Sequence, residues 1–268
     1  MKKYEFKLNE NVGFYWIAES LDVRNTKYQK IEIINTKQFG KAMLLDNNVM
    51  FTEFDEHVYH EYIVYPNVNQ LENFNNALII GGGDGLCAKR LLEYPFKKVV
   101  QVEIDKEVIE LSKKHFLNKL ENTFNDKRLV LEEQDALKYF PCKEKYNFIA
   151  LDLTDPQEDN QLSNNLFSDN FYNDCKKALD NNGILVVQVG CPYLFPKHFS
   201  KQKNILEKLF NYTWIYGTYM HCYGMHQYFI ACSNTINNKQ PNWELINDNF
   251  NQYNKAKVYN LELHKKLL

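Results

Sequence analysis

From Ala77 onward, short apolar runs alternate with longer amphipathic stretches, and no other feature of the sequence constrains the fold as strongly. The apolar runs are rich in Val, Ile and Leu and have strand length, whereas the stretches between them show the spacing of helices that bury one face. The strand-like runs are residues 77–80, 98–104, 128–133, 147–152 and 183–189, and the helix-like stretches are 86–94, 106–120, 168–180 and 197–210. Strands that alternate with helices pair in parallel, so the sequence predicts a doubly wound α/β sheet of Rossmann-like type.

The residues on either side of this unit have a different pattern. Residues 4–52 mostly alternate between polar and apolar side chains, which predicts a small antiparallel β domain. A helix is predicted from Asp55 to Tyr65, ended by Pro66, and we place the domains at residues 1–54 and 55–268. Beyond the sheet, residues 213–219 and 227–232 predict two closing strands, and residues 233–254 predict loops and surface turns.

Composition limits the classes of partner. The formal net charge is -2, which supplies no basic field for nucleic acid or an anionic membrane, so we expect small-molecule partners. The six cysteines form no Cys-x-x-Cys pair, which favours reduced thiols in the cytoplasm. No apolar signal segment or membrane span is predicted. His57 and His60 have a metal-ligand spacing but no third ligand to match, so no metal site is predicted.

A glycine-rich turn, Gly81 to Gly85, joins the first strand of the sheet to the following helix. Glycine permits positive φ and lets a ligand approach the backbone closely. The turn also contains Asp84, whose carboxylate would repel a phosphate and attract a cation. The turn therefore predicts a binding site for a ligand that carries a positive charge.

Carboxylates recur where successive strands end, at Asp84, Glu103, Asp135 and Asp152. Ligands of such sheets lie across the carboxyl ends of the strands, and Glu103 follows Gly85 at about the spacing of an acid that accepts both ribose hydroxyls. Singly, Glu103 or Asp135 is equally compatible with a helix cap or a solvated acid. Asp155 follows Asp152 closely, and paired acids suit an amine substrate, although an Asx turn would explain the pair as well.

Several motifs together resemble the spermidine synthase (polyamine aminopropyltransferase) family over nearly the whole chain. The matching segments are Tyr28–Ile31, Thr36–Lys41, Asp55–Glu61, Gly81–Gly85, Val102–Asp105, Asp135–Ala136, Asp152–Pro156, Leu166–Phe167, Phe171–Tyr172, Gln188, Thr218–Tyr219 and Tyr259–His264. The resemblance implies a class I methyltransferase-like fold and transfer of the aminopropyl group of decarboxylated S-adenosylmethionine to a diamine such as putrescine. Methylthioadenosine would be released, the donor would be a co-substrate rather than a tightly bound cofactor, and the protein would be a homodimer or homotetramer.

The same resemblance implies roles for individual residues. Asp152 would be the base that deprotonates the acceptor amine, aided by Tyr59. The donor would be bound by Gln29, His60, Gly81, Gly83, Asp84, Gly85, Glu103, Ile104, Asp135 and Ala136. The acceptor would be bound by Tyr59, Asp84, Asp155, Gln188 and Tyr219.

The sequence departs from the family pattern around the acceptor. Met50 stands where the family usually has Gln, Leu153 replaces a Ser or Thr, residues 157–161 replace a Gly-Pro-Ala segment, and the turn after Tyr219 lacks its proline. The identity of the acceptor therefore stays open. Two alternatives to aminopropyl transfer also stay open: an S-adenosylmethionine-dependent N-methyltransferase, which Asp84 disfavours because it would face the donor's carboxylate, and a non-catalytic nucleoside- or polyamine-binding relative.

Overall fold

The computed structural model of the protein describes residues 1–120, 122–154 and 165–267, which form two β-sheets and the helices that flank them. The strands are β1 Lys2–Lys7, β2 Gly13–Asn25, β3 Lys30–Thr36, β4 Gly40–Leu45, β5 Asn48–Thr52, β6 Asn76–Gly81, β7 Lys98–Glu103, β8 Leu129–Glu133, β9 Tyr146–Asp152, β10 Leu179–Gly190, β11 Tyr212–Met220 and β12 Met225–Ser233. The helices are α1 Glu56–Val68, α2 Leu86–Leu92, α3 Lys106–His115, α4 Leu117–Leu120, α5 Ala136–Tyr139, α6 Asp169–Ala178, α7 Pro196–Leu209, α8 Trp243–Tyr253 and α9 Leu261–Leu267.

The first five strands form an antiparallel sheet in chain order, as the alternating sequence predicts. One face of this sheet buries Ile31, Ile33 and Phe51 against Val108 and other apolar residues of α2 to α4. This shared cluster packs the small sheet against the helices that flank the larger one. The division at residues 54 and 55 stays a prediction.

The larger sheet has the strand order β11-β12-β10-β9-β6-β7-β8. The pairs among β10, β9, β6, β7 and β8 are parallel, whereas β12 runs antiparallel to both of its neighbours. Central strands are buried on both faces, which explains their continuous apolar sequence. In this register Gly81 at the end of β6 pairs with Asp152 at the end of β9. The glycine turn and the acidic strand end therefore meet at one edge of the sheet.

Helix α1 differs from its prediction because it continues through Pro66 to Val68. A proline within a helix has no N–H to donate to the carbonyl four residues earlier. That carbonyl belongs to Tyr62, and it accepts a hydrogen bond from the Tyr216 hydroxyl at 3.0 Å instead. A partner from β11 thus satisfies the group that the proline leaves open, so the helix does not end there.

Residues 233–254 were expected to be loops, and this expectation is wrong in part because α8 lies within them. The Asn242 side chain caps α8 by accepting from the Leu245 N–H, and Ile246 is buried. The Asn249 amide donates to the carbonyls of Asn69 and Leu71 at 3.1 and 2.9 Å. The helix is thus anchored by buried polar contacts that hydrophobic periodicity does not report.

A second interruption falls in the stretch 106–120, which forms α3 and α4 rather than one helix. Phe116 lies between them in a non-helical conformation, fully buried, with its ring 4.6 Å from the ring of Phe51. The predicted helix breaks where this side chain packs under the small sheet.

Glu61 ties α1 to a later part of the chain. Its buried carboxylate accepts backbone hydrogen bonds from Lys257, Val258 and Tyr259 at 2.8 to 3.0 Å. Charge-assisted bonds of this kind are among the strong ones in proteins.

In the described part of the chain, no helix is both long and apolar enough to cross a membrane.

Candidate active site

A cavity of about 1160 Å³ lies between the small sheet and the carboxyl ends of the larger sheet. Most residues singled out in the sequence line it. These are Gln29, Tyr59, His60, Gly81, Gly83, Asp84, Glu103, Ile104, Asp135, Ala136, Asp152 and Gln188. The topology therefore brings together side chains from both sheets, α1 and the glycine turn.

The glycine turn is shaped by close contact with β9. Gly81 and Gly82 have φ values of 83° and 61°, and the Gly82 N–H donates to the Asp152 carbonyl at 2.9 Å. A Cβ at Gly81 would lie less than 3.0 Å from that carbonyl oxygen. Gly85, which was expected to contact the donor, does not line the cavity. It has a φ of 78° and packs against Phe124 at the start of α2, so its role is in the turn.

The two carboxylate oxygens of Asp152 differ in their hydrogen bonds among the described residues. Its Oδ1 accepts from the Tyr59 hydroxyl at 2.8 Å, whereas its Oδ2 is buried without a hydrogen-bond partner among the described residues. Burial raises the pKa of Asp152 to about 6, helped by the nearby carboxylate of Asp84 and opposed by His60 and Tyr59. A carboxylate with this pKa is ionised at neutral pH and is still a useful proton acceptor.

His60 lies beside this carboxylate, and each of its ring nitrogens faces an oxygen atom. Its Nδ1 lies 2.6 Å from the Glu56 carbonyl oxygen, and its Nε2 lies 3.7 Å from Asp84 Oδ1. Burial alone would lower the pKa of His60, but Asp84, Glu56 and Asp152 outweigh it and raise the pKa to about 10. His60, Asp84 and Asp152 offer atoms that lie within 4.8 Å of one another. The two carboxylates form a compact, acidic end of the cavity.

Another part of the cavity is built around Glu103. Its Oε1 accepts from the Asp105 N–H at 2.9 Å. Burial raises the pKa of Glu103 to about 7, and the charges of Asp105 and Asp84 add to this effect while two backbone N–H groups oppose it. The Gln29 amide donates to Asp105 at 3.1 Å. Asp135 lines the cavity and also caps α5 by accepting from the Leu137 N–H, so its two interpretations are compatible.

Met50 and Leu153, which depart from the family pattern, also line the cavity. The Met50 sulfur lies 3.8 Å from the Thr154 hydroxyl, and the Met50 carbonyl accepts from the hydroxyl of Tyr223. Gln188 donates to the Leu153 carbonyl at 2.7 Å and accepts from the Gln227 amide. The cavity wall formed by these residues is therefore part thioether and part amide.

The structure places Tyr219 differently from its expected position in the acceptor groove. Its side chain is 45% exposed and contacts the rings of His221 and His226, and it does not line the cavity. Tyr223, in the turn between β11 and β12, lines the cavity instead. Matching at Thr218–Tyr219 did not indicate Tyr223, because the sequence does not show which side chain of this turn faces the cavity. Asp155 and residues 157–161 lie outside the described residues.

Comparison with known proteins gives this geometry a family. Residues 56–242 match the family model of the spermine/spermidine synthase domain, and residues 15–53 match that of the spermidine synthase tetramerisation domain. The chain belongs to the spermidine synthase family. The resemblance noted in the sequence is confirmed.

Individual relatives cover most of the chain. A polyamine aminopropyltransferase of Thermoplasma volcanium is 36% identical over 229 residues, which is 84% of this chain and 82% of the relative. One of Clostridium botulinum is 33% identical over 267 residues, 97% of this chain and 92% of the relative. One of Prochlorococcus marinus reaches 40% over 197 residues, 72% and 68% of the two chains.

Solved structures agree on the fold. A spermidine synthase in complex with the transition-state analogue AdoDATO superposes with a TM-score of 0.91 at 26% identity, covering 99% of this chain and 91% of that one. The spermidine synthase of Thermotoga maritima gives 0.88 at 25% identity, with coverage of 99% and 90%. The predicted methyltransferase-like fold with a small N-terminal β domain is confirmed.

Proposed function

We propose that this protein is a polyamine aminopropyltransferase that moves the aminopropyl group of decarboxylated S-adenosylmethionine to a diamine such as putrescine. The observation that carries the proposal is Asp152 Oδ2, which has no hydrogen-bond partner among the described residues and lies buried beside Asp84 and His60 in a cavity that Glu103 also lines. Relatives named as polyamine aminopropyltransferases, and the fold match to a spermidine synthase that binds AdoDATO, support the same reaction.

The reaction is a displacement at carbon. The lone pair of the acceptor nitrogen attacks the aminopropyl carbon bonded to the donor's sulfonium sulfur, and the carbon–sulfur bond breaks with its electrons going to sulfur. The remainder of the donor leaves as the neutral thioether methylthioadenosine, and the proton of the attacking nitrogen passes to Asp152. The chain contributes alignment of the two reactants and a base, which are the two effects that such a displacement requires.

The side chains divide between the two substrates. Glu103 holds the ribose hydroxyls, and Asp84 pairs with the ammonium of the donor. Tyr59 orients Asp152 through the hydrogen bond to Oδ1. The remaining donor contacts come from Gln29, His60, Gly81, Gly83, Ile104, Asp135 and Ala136. The acceptor lies between Asp152, Gln188 and Tyr223, with the donor as a co-substrate and no tightly bound cofactor.

A product assay tests this function. The protein is incubated with decarboxylated S-adenosylmethionine and a panel of diamines and polyamines, and methylthioadenosine is measured. S-adenosylmethionine is tested in parallel as the donor of the rival N-methyltransferase reaction. We expect methylthioadenosine with the decarboxylated donor and no methyl transfer, because Asp84 would face the carboxylate of the other donor. Absence of product with every acceptor would support a non-catalytic binding protein instead.

Replacing Glu103 with Gln should weaken methylthioadenosine binding by about tenfold, because hydrogen bonds to a charged acceptor are lost. Affinity of the unchanged protein should also fall as the pH drops below about 7, where Glu103 becomes protonated. Calorimetric titration measures both effects. The matched control is Glu133→Gln, which changes the exposed end of the neighbouring strand. A similar loss in both variants would show that general charge, rather than ribose binding, explains the effect.

The protein is expected to act as a homodimer or homotetramer in the cytoplasm. Residues 15–53 match the tetramerisation domain, and β2 exposes the large apolar side chains Tyr15, Ile17, Leu21 and Val23. Burial of these side chains between subunits would stabilise an oligomer. All six cysteines are free thiols, as suits a reducing compartment. Sedimentation equilibrium counts the subunits, and a monomer at micromolar concentration would contradict the expectation.

A further inference from the structure

Behind His60, away from the cavity, lies a buried cluster of charges that the proposed mechanism does not use. At its centre is Glu56, which is 1% exposed and lies one helical turn before His60 on α1. Its carboxylate is 3.5 Å from the Arg90 guanidinium of α2 and 3.8 Å from the Lys119 ammonium of α4. Neither carboxylate oxygen has a hydrogen-bond partner among the described residues. A fully buried carboxylate is costly unless neighbouring groups of opposite charge compensate its desolvation.

Besides Arg90 and Lys119, the His60 ring is a third neighbour of this kind. The Glu56 carbonyl accepts from Nδ1 at 2.6 Å, so this nitrogen must carry a hydrogen, since a carbonyl oxygen only accepts. The Glu56 carboxylate lies 3.7 Å from the same nitrogen. On the other side of the ring, Nε2 faces Asp84 Oδ1, which also accepts from the Leu86 N–H at 2.7 Å. An unprotonated Nε2 would present its lone pair to this carboxylate and repel it.

We propose that Glu56 is a positioning residue for aminopropyl transfer: it holds the His60 ring as a cation whose charge attracts Asp84 Oδ1, 3.7 Å from Nε2, which leaves Asp84 Oδ2 for the donor ammonium. The inference rests on the proposed function and names a residue beyond the reacting groups. Arg90 and Lys119 keep Glu56 ionised. Glu56 therefore acts on the substrate through His60 and Asp84.

The charges around His60 agree with this arrangement. It is faced by Glu56 on its own helix, by Asp84 from the glycine turn and by Asp152 from β9, with Tyr59 as its ring neighbour. Burial disfavours the Glu56 anion, but His60, Arg90 and Lys119 outweigh it and lower the pKa of Glu56 to about 2. The three carboxylates raise the pKa of His60 to about 10. Removing one of them must lower that pKa.

Glu56→Gln tests the proposal through the pH profile of kcat/KM for the donor. In the unchanged enzyme the profile rises as Asp152 ionises and falls as His60 loses its proton. In the variant we expect the alkaline fall to move to lower pH by about one unit, so that the donor KM rises about fivefold at pH 10 but by less than about twofold at pH 8, with kcat changed far less. Affinity for methylthioadenosine, which lacks the ammonium, should stay within about twofold. Ionisation of the donor itself affects all variants equally.

The matched control is Glu93→Gln. Glu93 binds the same arginine at 3.2 Å and accepts from the Tyr65 hydroxyl, but it does not contact His60. An unshifted alkaline limb in Glu56→Gln, or an equal shift in Glu93→Gln, would overturn the proposal. If Glu56→Gln does not fold, Glu56→Asp withdraws the charge by one methylene and should shift the limb in the same direction by less. An unshifted limb in that folded variant would also overturn it, whereas an inactive unchanged enzyme would contradict the proposed function itself.

Discussion

The variant Asp152→Asn should lose at least about 10²-fold in kcat, because its amide cannot accept the proton of the attacking amine. Its shape and its contact with Tyr59 are retained, so affinity for methylthioadenosine should change by no more than about twofold. Steady-state kinetics and calorimetric titration of the product measure the two quantities. Comparable losses of turnover and product binding would show that Asp152 holds the ligand rather than acting as the base.

The pH profile separates the two roles further. Since the Asp152 carboxylate accepts a proton only when ionised, kcat/KM of the unchanged enzyme should fall as the pH drops through about 6. Asp152→Asn should lack this acid limb. Tyr59→Phe is the matched control because it removes only the hydroxyl that donates to Oδ1. It should keep the limb, with a decrease in kcat of about tenfold or less.

Replacing Gly81 with Ala should destabilise the protein by about 3 kcal/mol or more, because strain and steric overlap act together. The φ of 83° is unfavourable for any residue with a Cβ, and the new methyl group would overlap the backbone carbonyl of Asp152. Neither group can move without breaking the register of β6 and β9. Urea unfolding followed by circular dichroism measures the change in free energy.

Gly224→Ala isolates the conformational part of this effect. Gly224 has a φ of 64°, but no atom of the described residues lies within 4 Å of the Cβ that would be added. Its cost should be limited to the backbone term, about 1 kcal/mol. If the two variants were equally destabilised, overlap with the Asp152 carbonyl would not be the reason that Gly81 must be glycine.

Much of the fold follows from the alternation of strand-like and helix-like segments. Parallel strands place their carboxyl ends at one edge, so acids as far apart in sequence as Asp84 and Asp152 could be expected to meet. The exceptions have tertiary causes. Helix α1 passes Pro66 because a tyrosine of β11 binds the freed carbonyl, and α8 forms because Asn249 binds carbonyls far from it in sequence. Local patterns carry no information on such partners.

The site divides in the same way. Residues that end strands or follow them, such as Glu103 and Asp152, line the cavity because strand register fixes their position, and their roles stay predictions. Tyr219, near the end of β11, does not line the cavity, whereas Tyr223, in the turn that follows, does; the sequence does not report the conformation of that turn. Glu56 lies in the matched segment Asp55–Glu61, but the sequence assigned it no role. Its proposed role depends on the charges of Arg90 and Lys119, which come near it only in the folded chain.

The contact between Glu61 and residues 257–259 has an evolutionary consequence. Glu61 follows Tyr59 and His60 directly on α1, so whatever fixes Glu61 also fixes the helix that presents them to the substrates. The segment is held through its backbone N–H groups alone, without use of its side chains in these bonds. The exposed residues Lys257 and Val258 can therefore change in identity, except to proline, which has no N–H to give, whereas Tyr259 is buried and packs against Tyr65. The glutamate is not free to change, because its carboxylate serves three donors at once.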